Sequence, residues 1–320
     1  MSNDNNENLD KKVEDCRRKL LECPSWRLDS RCQLLDDLST ALYNRFKQLG
    51  GIEYLEESIT CWRRRLNLCP IDDPNRSVLL NNLAIVVSTR FEQLGGMEDL
   101  EEAITCHRQT LTLLPDGHPI DPNRSLSLNN LAIAVSTRFQ QLGGMVDLEE
   151  AVTCYRQALA LLPYGHPDRS SSLNNFATAV CTRFQQSGRM EDLEEAITCH
   201  RQALALLPHG HPNHPAFLYN LASTVSIRFD QLGRMEDLEE AITYHRQALA
   251  HLPDGHPKRS SSLNNLATVL STRFEQLGRM DDLEEAITCH RQALTLRPHG
   301  HPNRSSSLAN LATTVYNRFK

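Results

Sequence analysis

An Arg-Phe dipeptide recurs along the chain at Arg45, Arg90, Arg138, Arg183, Arg228, Arg273 and Arg318, in steps of 45, 48, 45, 45, 45 and 45 residues. A period of this length excludes a single ball-like core. It requires a supersecondary unit that stacks on copies of itself and buries its apolar face against its neighbours. Around the dipeptide, the block LNNLAIVVSTRF (80–91) and the block DLEEAITCHRQTLTLLP (99–115) return with few changes through most of the 320 residues. The unit is therefore one copy of each block joined by short connectors.

Both blocks have helical periodicity. In the second copy, Leu80, Leu83, Ala84, Val87, Phe91 and Leu94 fall at offsets 0, 3, 4, 7, 11 and 14, one face of an α-helix. A glycine follows in each complete copy (Gly50, Gly95, Gly143, Gly188, Gly233, Gly278), as expected where a helix closes through the left-handed region. The second helix is expected to open at Asp99 as N-cap, with Glu102 completing a capping box, a pair repeated at Asp147/Glu150, Asp192/Glu195, Asp237/Glu240 and Asp282/Glu285; the first copy departs, with Tyr54 at the cap. Its apolar face is clearest in the third copy: Leu148, Ala151, Val152, Tyr155, Ala158, Leu159 and Leu162. Pro70, Pro115, Pro163, Pro208, Pro253 and Pro298 end it. The connector reads P-x-G-H-P-x-R-S in most copies, and the one longer step comes from a loop insertion at Ile120-Asp121-Pro122-Asn123. No stretch alternates as a strand would.

The expected fold is all-α: a solenoid of antiparallel helix pairs with about 45 residues per repeat. Residues 1–10 are polar and read as a disordered lead; 11–24 read as a degenerate helix that caps the first apolar face; 25–320 hold six complete repeats plus the first helix of a seventh. The apolar residues of that seventh helix, Leu308, Leu311, Ala312, Val315 and Phe319, have no second helix after them. That leaves a fragment, a truncated gene or an open-ended surface for self-association as readings.

The bulk chemistry narrows the function. A net charge of -6 does not make the basic footprint of a nucleic-acid binder. No apolar run approaches the ~20 residues of a membrane span, and the polar start is no secretory signal. Cys61, Cys106, Cys154, Cys199 and Cys289 occupy one repeat position that Tyr244 fills in another copy, so they are expected as reduced thiols in a cytoplasmic protein and not as a disulfide framework. The motifs G-x-S-x-G, G-x-x-x-x-G-K and H-E-x-x-H are absent, so no enzyme and no cofactor are expected.

The repeat resembles the tetratricopeptide repeat (TPR), whose pattern is W-x2-L-G-x2-Y…A-x3-F…P. Leu80 falls on its Trp, Leu83 on its Leu, Ala84 on its Gly, Ala103 on its first Ala, Thr110 on the second (Ala158, Ala203, Ala248 and Ala293 elsewhere) and Pro115 on its Pro. The first helix and the connector are longer than in the 34-residue pattern. LNNLA and G-H-P are similar to the kinesin-light-chain type, and the chain as a whole to arrays in fungal multidomain proteins, roughly over residues 11–320. The resemblance implies a right-handed superhelix whose first helices line a concave groove for a peptide, hence a protein–protein interaction scaffold. It also implies an alternative: the sensor or autoinhibitory region of a larger signalling protein with a caspase-like or NTPase module.

By that resemblance the peptide-binding candidates are the asparagines of LNNLA: Asn81, Asn82, Asn129, Asn130, Asn174, Asn175, Asn264 and Asn265, plus Asn220. An amide offers a donor and an acceptor, which suits a peptide backbone. The second Asn recurs in six copies and has a competing reading as a hydrogen bond between stacked repeats. The first Asn gives way to Asp36, Tyr219 and Ala309; helical geometry groups it with positions such as Ile85 and Ser88, the expected groove stripe. The Arg of Arg-Phe is read as an ion pair to the acidic start of the second helix, against a phosphate or carboxylate ligand. Cys106-His107, Cys199-His200, Cys289-His290 and the connector histidines His118, His166, His211, His256 and His301 stand one repeat apart, too far to converge on one metal ion. The helix histidines are read as packing residues, since Trp62 and Tyr155 replace them.

Overall fold

The structure is a computed structural model that describes residues 2–114, 122–208 and 210–319. Fourteen helices are present among these residues, packed in sequential antiparallel pairs. The chain divides into two compact units, residues 1–163 and 164–320.

The first unit holds α1 (Ser2–Glu22), α2 (Leu28–Leu49), α3 (Ile52–Asn67), α4 (Arg76–Leu94), α5 (Met97–Leu113), α6 (Pro122–Leu142) and α7 (Met145–Leu161). The second holds α8 (Arg169–Ser187), α9 (Met190–Ala205), α10 (His214–Leu232), α11 (Met235–Ala250), α12 (Arg259–Leu277), α13 (Met280–Thr295) and α14 (Arg304–Asn317). Even-numbered helices from α2 onward are the first helices of the repeats, and odd-numbered ones from α3 the second. Each pair is a hairpin, and each second helix also packs on the first helix of the next repeat within its unit, as α3 does on α4 and α11 on α12. First helices meet each other too, α4 against α6, α8 against α10 and α12 against α14, so they share one face of each stack.

The apolar stripes predict the core. Leu80, Leu83, Ala84 and Val87 of α4 and Leu100, Ala103 and Ile104 of α5 are all buried. Leu94 departs: it is 60% exposed at the last residue of α4. Between the helices of a pair the chain turns through a left-handed glycine, such as Gly233 at φ 64, whose N–H returns to the Phe229 carbonyl. This is the αL helix stop that the glycines foretold.

Two expectations at helix starts are corrected. The second helices do not open on a capping box: α5 begins at Met97, Asp99 is its third residue and makes no side-chain cap bond. Its carboxylate goes instead to Arg90, and Glu102 goes to Arg63 of the preceding repeat. The lead at residues 1–10 is also not separate from the capping helix, because α1 runs from Ser2. A Lys11–Glu7 ion pair one turn apart supports its first half, and Asp10 accepts from Arg45 Nε at 3.0 Å. Where α3 carries the buried Leu55 and Ile59, α1 carries Asp10 and Glu14, both exposed. Half of the 120–123 insertion, Ile120 and Asp121, and His118 lie outside the described residues.

Candidate functional site

The Arg-Phe arginines hold the hairpins shut. Arg90 grips Asp99 with Nε–Oδ2 at 2.8 Å and Nη2–Oδ1 at 2.5 Å. Arg138/Asp147, Arg183/Asp192, Arg228/Asp237 and Arg273/Asp282 repeat this fork, and the last three pairs are buried on both sides. A bidentate guanidinium–carboxylate pair is geometrically demanding and strong. The third nitrogen reaches back to the preceding repeat: Arg138 to Glu101 at 2.8 Å, Arg228 to Glu194 at 2.9 Å, and Arg273 to Glu239. In the first copy, where Tyr54 replaces the aspartate, the Arg45 guanidinium lies 3.9 Å over its ring. These arginines are committed to structure, as the sequence suggests.

The asparagines form a second inter-repeat element. Asn130 Nδ2 donates to Asn81 Oδ1 at 3.3 Å, Asn220 to Asn174 at 3.1 Å and Asn310 to Asn264 at 3.3 Å. At the copy where Tyr219 stands for the first Asn, Asn265 Nδ2 donates to its hydroxyl at 2.8 Å. At these four steps the second Asn of one repeat bonds the first position of the repeat before it. Each of the three Asn–Asn pairs retains the NH2 of the first amide and the oxygen of the second as further hydrogen-bonding groups. Asn81, Asn82, Asn130, Asn175, Asn220, Asn264 and Asn265 are half-buried, while Asn129 and Asn174 are buried. Asn129 Nδ2 bonds its own helix at Ser125, and its Oδ1 is buried without a partner.

Beside these amides, clefts open between successive first helices. One of about 290 Å³ is lined by Tyr43, Ile85, Ser88, Thr89, Glu92, His107, Asn130, Ile133 and Thr137. The expected stripe Asn81, Ile85, Ser88 is thus represented by its last two members, extended by Thr89 and Glu92. A neighbour of about 270 Å³ contains Tyr43, Trp62, Asn82 and Ile85. Thr89 and Thr137 bond carbonyls of their own helices, so the walls are apolar with self-satisfied hydroxyls. Glu92 is the one charged group of the larger cleft, and no lysine or arginine lines it.

The histidines take two roles. His107, His200, His245 and His290 on the second helices are at most 2% exposed; each leaves Nδ1 buried with no partner, and burial pushes each pKa down to about 4. His107 forms cleft floor at the position Trp62 fills one repeat earlier. The connector histidines act through Nδ1 as turn acceptors: His166, His211, His256 and His301 accept the backbone N–H two residues on, at 3.1–3.2 Å. Asp73 does this in the first copy, accepting from Asn75 at 2.7 Å. That His/Asp exchange was visible in the sequence as an Asx-turn signal. The cysteines are thiols and not disulfides; Cys61, Cys106, Cys154 and Cys289 are buried thiols that desolvation pushes up to about 11, which makes them unreactive. Among the described residues no helix is long and apolar enough to cross a membrane.

The tetratricopeptide repeat family model matches residues 169–216 and 259–303, the stretches that contain α8–α9 and α12–α13. No curated protein matches the chain. Among solved structures, the nearly identical TPR-like repeats of a Podospora anserina protein are 25% identical over 70% of this chain and 99% of that one, at a TM-score of 0.48. PilF of Pseudomonas aeruginosa is 17% identical over 88% of this chain and 98% of its own, at 0.56. BtubC of P. vanneervenii is 16% identical over 90% and 91%, at 0.50. The last two likenesses are of fold. The match to the tetratricopeptide repeat thus lies in these two stretches of the second unit.

Proposed function

We propose that this array of tetratricopeptide repeats is a protein-binding scaffold that takes extended peptide segments along the face lined by its first helices. The observation that carries the reading is the amide ladder. Asn81/Asn130, Asn174/Asn220 and Asn264/Asn310 fix one another across repeats and keep one NH2 and one carbonyl per pair in reserve. Groups held in place lose little further freedom on binding. Their donor–acceptor alternation matches a peptide backbone, which is read independently of side chains. The clefts beside Ile85, Ile133 and Thr137 supply apolar room for side chains, with Glu92 favouring a neutral or basic segment.

A peptide-display selection on the intact chain tests this. The comparison is a variant with Asn81, Asn82, Asn130, Asn220 and Asn264 changed to Ala and its helicity and unfolding midpoint measured alongside. Peptides retained by the parent and lost by a folded variant support the reading. Equal retention by both places the binding surface away from the amides.

A further inference from the structure

The start of α12 departs from its counterparts at two separated positions. Lys258 stands directly before this helix, where other copies have Asp168, Asn213 and Asn303. Arg297 follows α13, where the earlier copies have Leu162, Leu207 and Leu252. Both substitutions bring a cation to one place.

Arg297 is 5% exposed, and among the described residues its guanidinium meets hydroxyls and a carbonyl and no carboxylate. It donates to Ser260 Oγ and Ser261 Oγ, each at 3.3 Å, to the Asn303 carbonyl at 3.1 Å and to Ser307 Oγ. The buried arginines of the Arg-Phe series, by contrast, each grip an aspartate. A buried cation left among neutral groups is costly. Here the cost is aggravated, because the three serines sit in the first turns of α12 and α14, whose free N–H groups carry positive partial charge. Arg259 adds nothing to this excess, since Asp254 pairs with it at 3.2 Å.

A cavity of about 360 Å³ opens at this point. Lys258, Ser261 and Ser262 line one side, and Tyr219, Ala216 and Leu252 supply an aromatic and aliphatic side. Ser261 links the cavity to the buried charge. Its oxygen accepts from Arg297, so its proton is free for an acceptor inside the cavity.

We propose that this cavity binds a phosphate monoester carried on an aromatic or aliphatic body. The phosphate lies against Lys258, the Ser261 and Ser262 hydroxyls and the N-terminus of α12, with Arg297 as the buried countercharge behind Ser261. The body lies against Tyr219 and Leu252. A tetrahedral oxyanion of nearly two charges suits a site with two cations and donors in several directions better than a carboxylate does. The site does not depend on the peptide reading of the first-helix face.

The test is calorimetric titration of the intact chain with phenyl phosphate, inorganic phosphate and a capped phosphotyrosine tripeptide, repeated on Lys258→Asn and Arg297→Leu. Both replacements are residues that other copies carry at these positions, so the repeats accept them; helicity and melting are recorded for each. The expected result is saturable binding of one phenyl phosphate, weaker by about tenfold for inorganic phosphate and by about tenfold in either variant. Tighter binding of the tripeptide than of phenyl phosphate assigns the phosphate to a protein side chain; the reverse order assigns it to a small molecule. The proposal is overturned if phenyl phosphate does not saturate, if inorganic phosphate binds as tightly, or if both variants bind as the parent does.

Discussion

At the scale of single residues, the Arg–Asp fork is the interaction most exposed to substitution. Asp237 is 3% exposed and Arg228 is 9% exposed, so neutralising the acid breaks the bidentate fork and leaves the buried cation only its single bond to the half-exposed Glu194. Breaking a buried pair on one side costs about 3 kcal/mol or more. Asp237→Asn should therefore lower stability to urea by up to about that amount, whereas Glu285→Gln, at a half-buried surface site where it loses only its pair with Arg246, should cost under about 1 kcal/mol. Equal effects would remove the fork from its structural role. The buried imidazoles set a pH dependence with a definite sign. Their folded pKa of about 4 lies below the ~6.5 of the unfolded chain, so their contribution is complete above that value and is lost as pH falls toward 4. Each can cost up to about 3 kcal/mol when the full shift is expressed. Changing His200, His245 and His290 to Tyr, the residue of the third copy at Tyr155, should flatten the fall in unfolding midpoint between pH 6.5 and 5. An unchanged slope would mean that these rings do not titrate on unfolding. The partner of Arg-Phe was legible in the sequence because it lies nine residues on, at the start of the next helix. The amide ladder was legible only as a competing reading, since Asn81 and Asn130 stand 49 residues apart and side-chain direction decides whether they meet.

At the scale of elements, helix type and the buried stripes followed from periodicity, while helix starts did not. Asp99 satisfies the N-cap pattern as well as the N3 position, and what separates them is Arg90, a residue on the previous helix. The first half of α1 shows no apolar stripe in its sequence, and the Glu7–Lys11 ion pair one turn apart supports helix there without one. Helix ends were clearer. Gly233 sits at φ 64, and a Cβ added there would touch nothing within 4 Å, so the cost of Gly233→Ala is that of the backbone conformation alone. It should lower stability by about 1 kcal/mol, and no loss would mean that the turn relaxes into another conformation. The connector makes a matching prediction. His256→Asp places the residue of the first copy in the turn that His256 closes onto Lys258, so it should preserve stability at neutral pH, whereas His256→Ala should lower it by about 1 kcal/mol. Equal stability of the two variants would take the imidazole out of the turn.

At the scale of the whole molecule, repetition explains both what the sequence reveals and what it conceals. A unit that returns every 45 residues announces its fold many times over, and for the same reason its surface asparagines and histidines look alike until their neighbours are known. The departures from repetition carry the individual information: Tyr219 in the ladder, Lys258 and Arg297 at one helix start, and Asp10 and Glu14 on the outer face of α1. The central claim is that the first-helix face reads peptide backbone through amides that the repeats hold in place. Backbone N-methylation of a selected peptide, one residue at a time, with affinity for the intact chain measured at each step, tests it most directly. The account predicts losses of about tenfold at alternate residues, since each methyl removes one N–H donor of about 1–1.5 kcal/mol, and little further loss in the variant that lacks the asparagines. Uniformly unchanged affinity along the peptide, or the same losses with the asparagines removed, would contradict it.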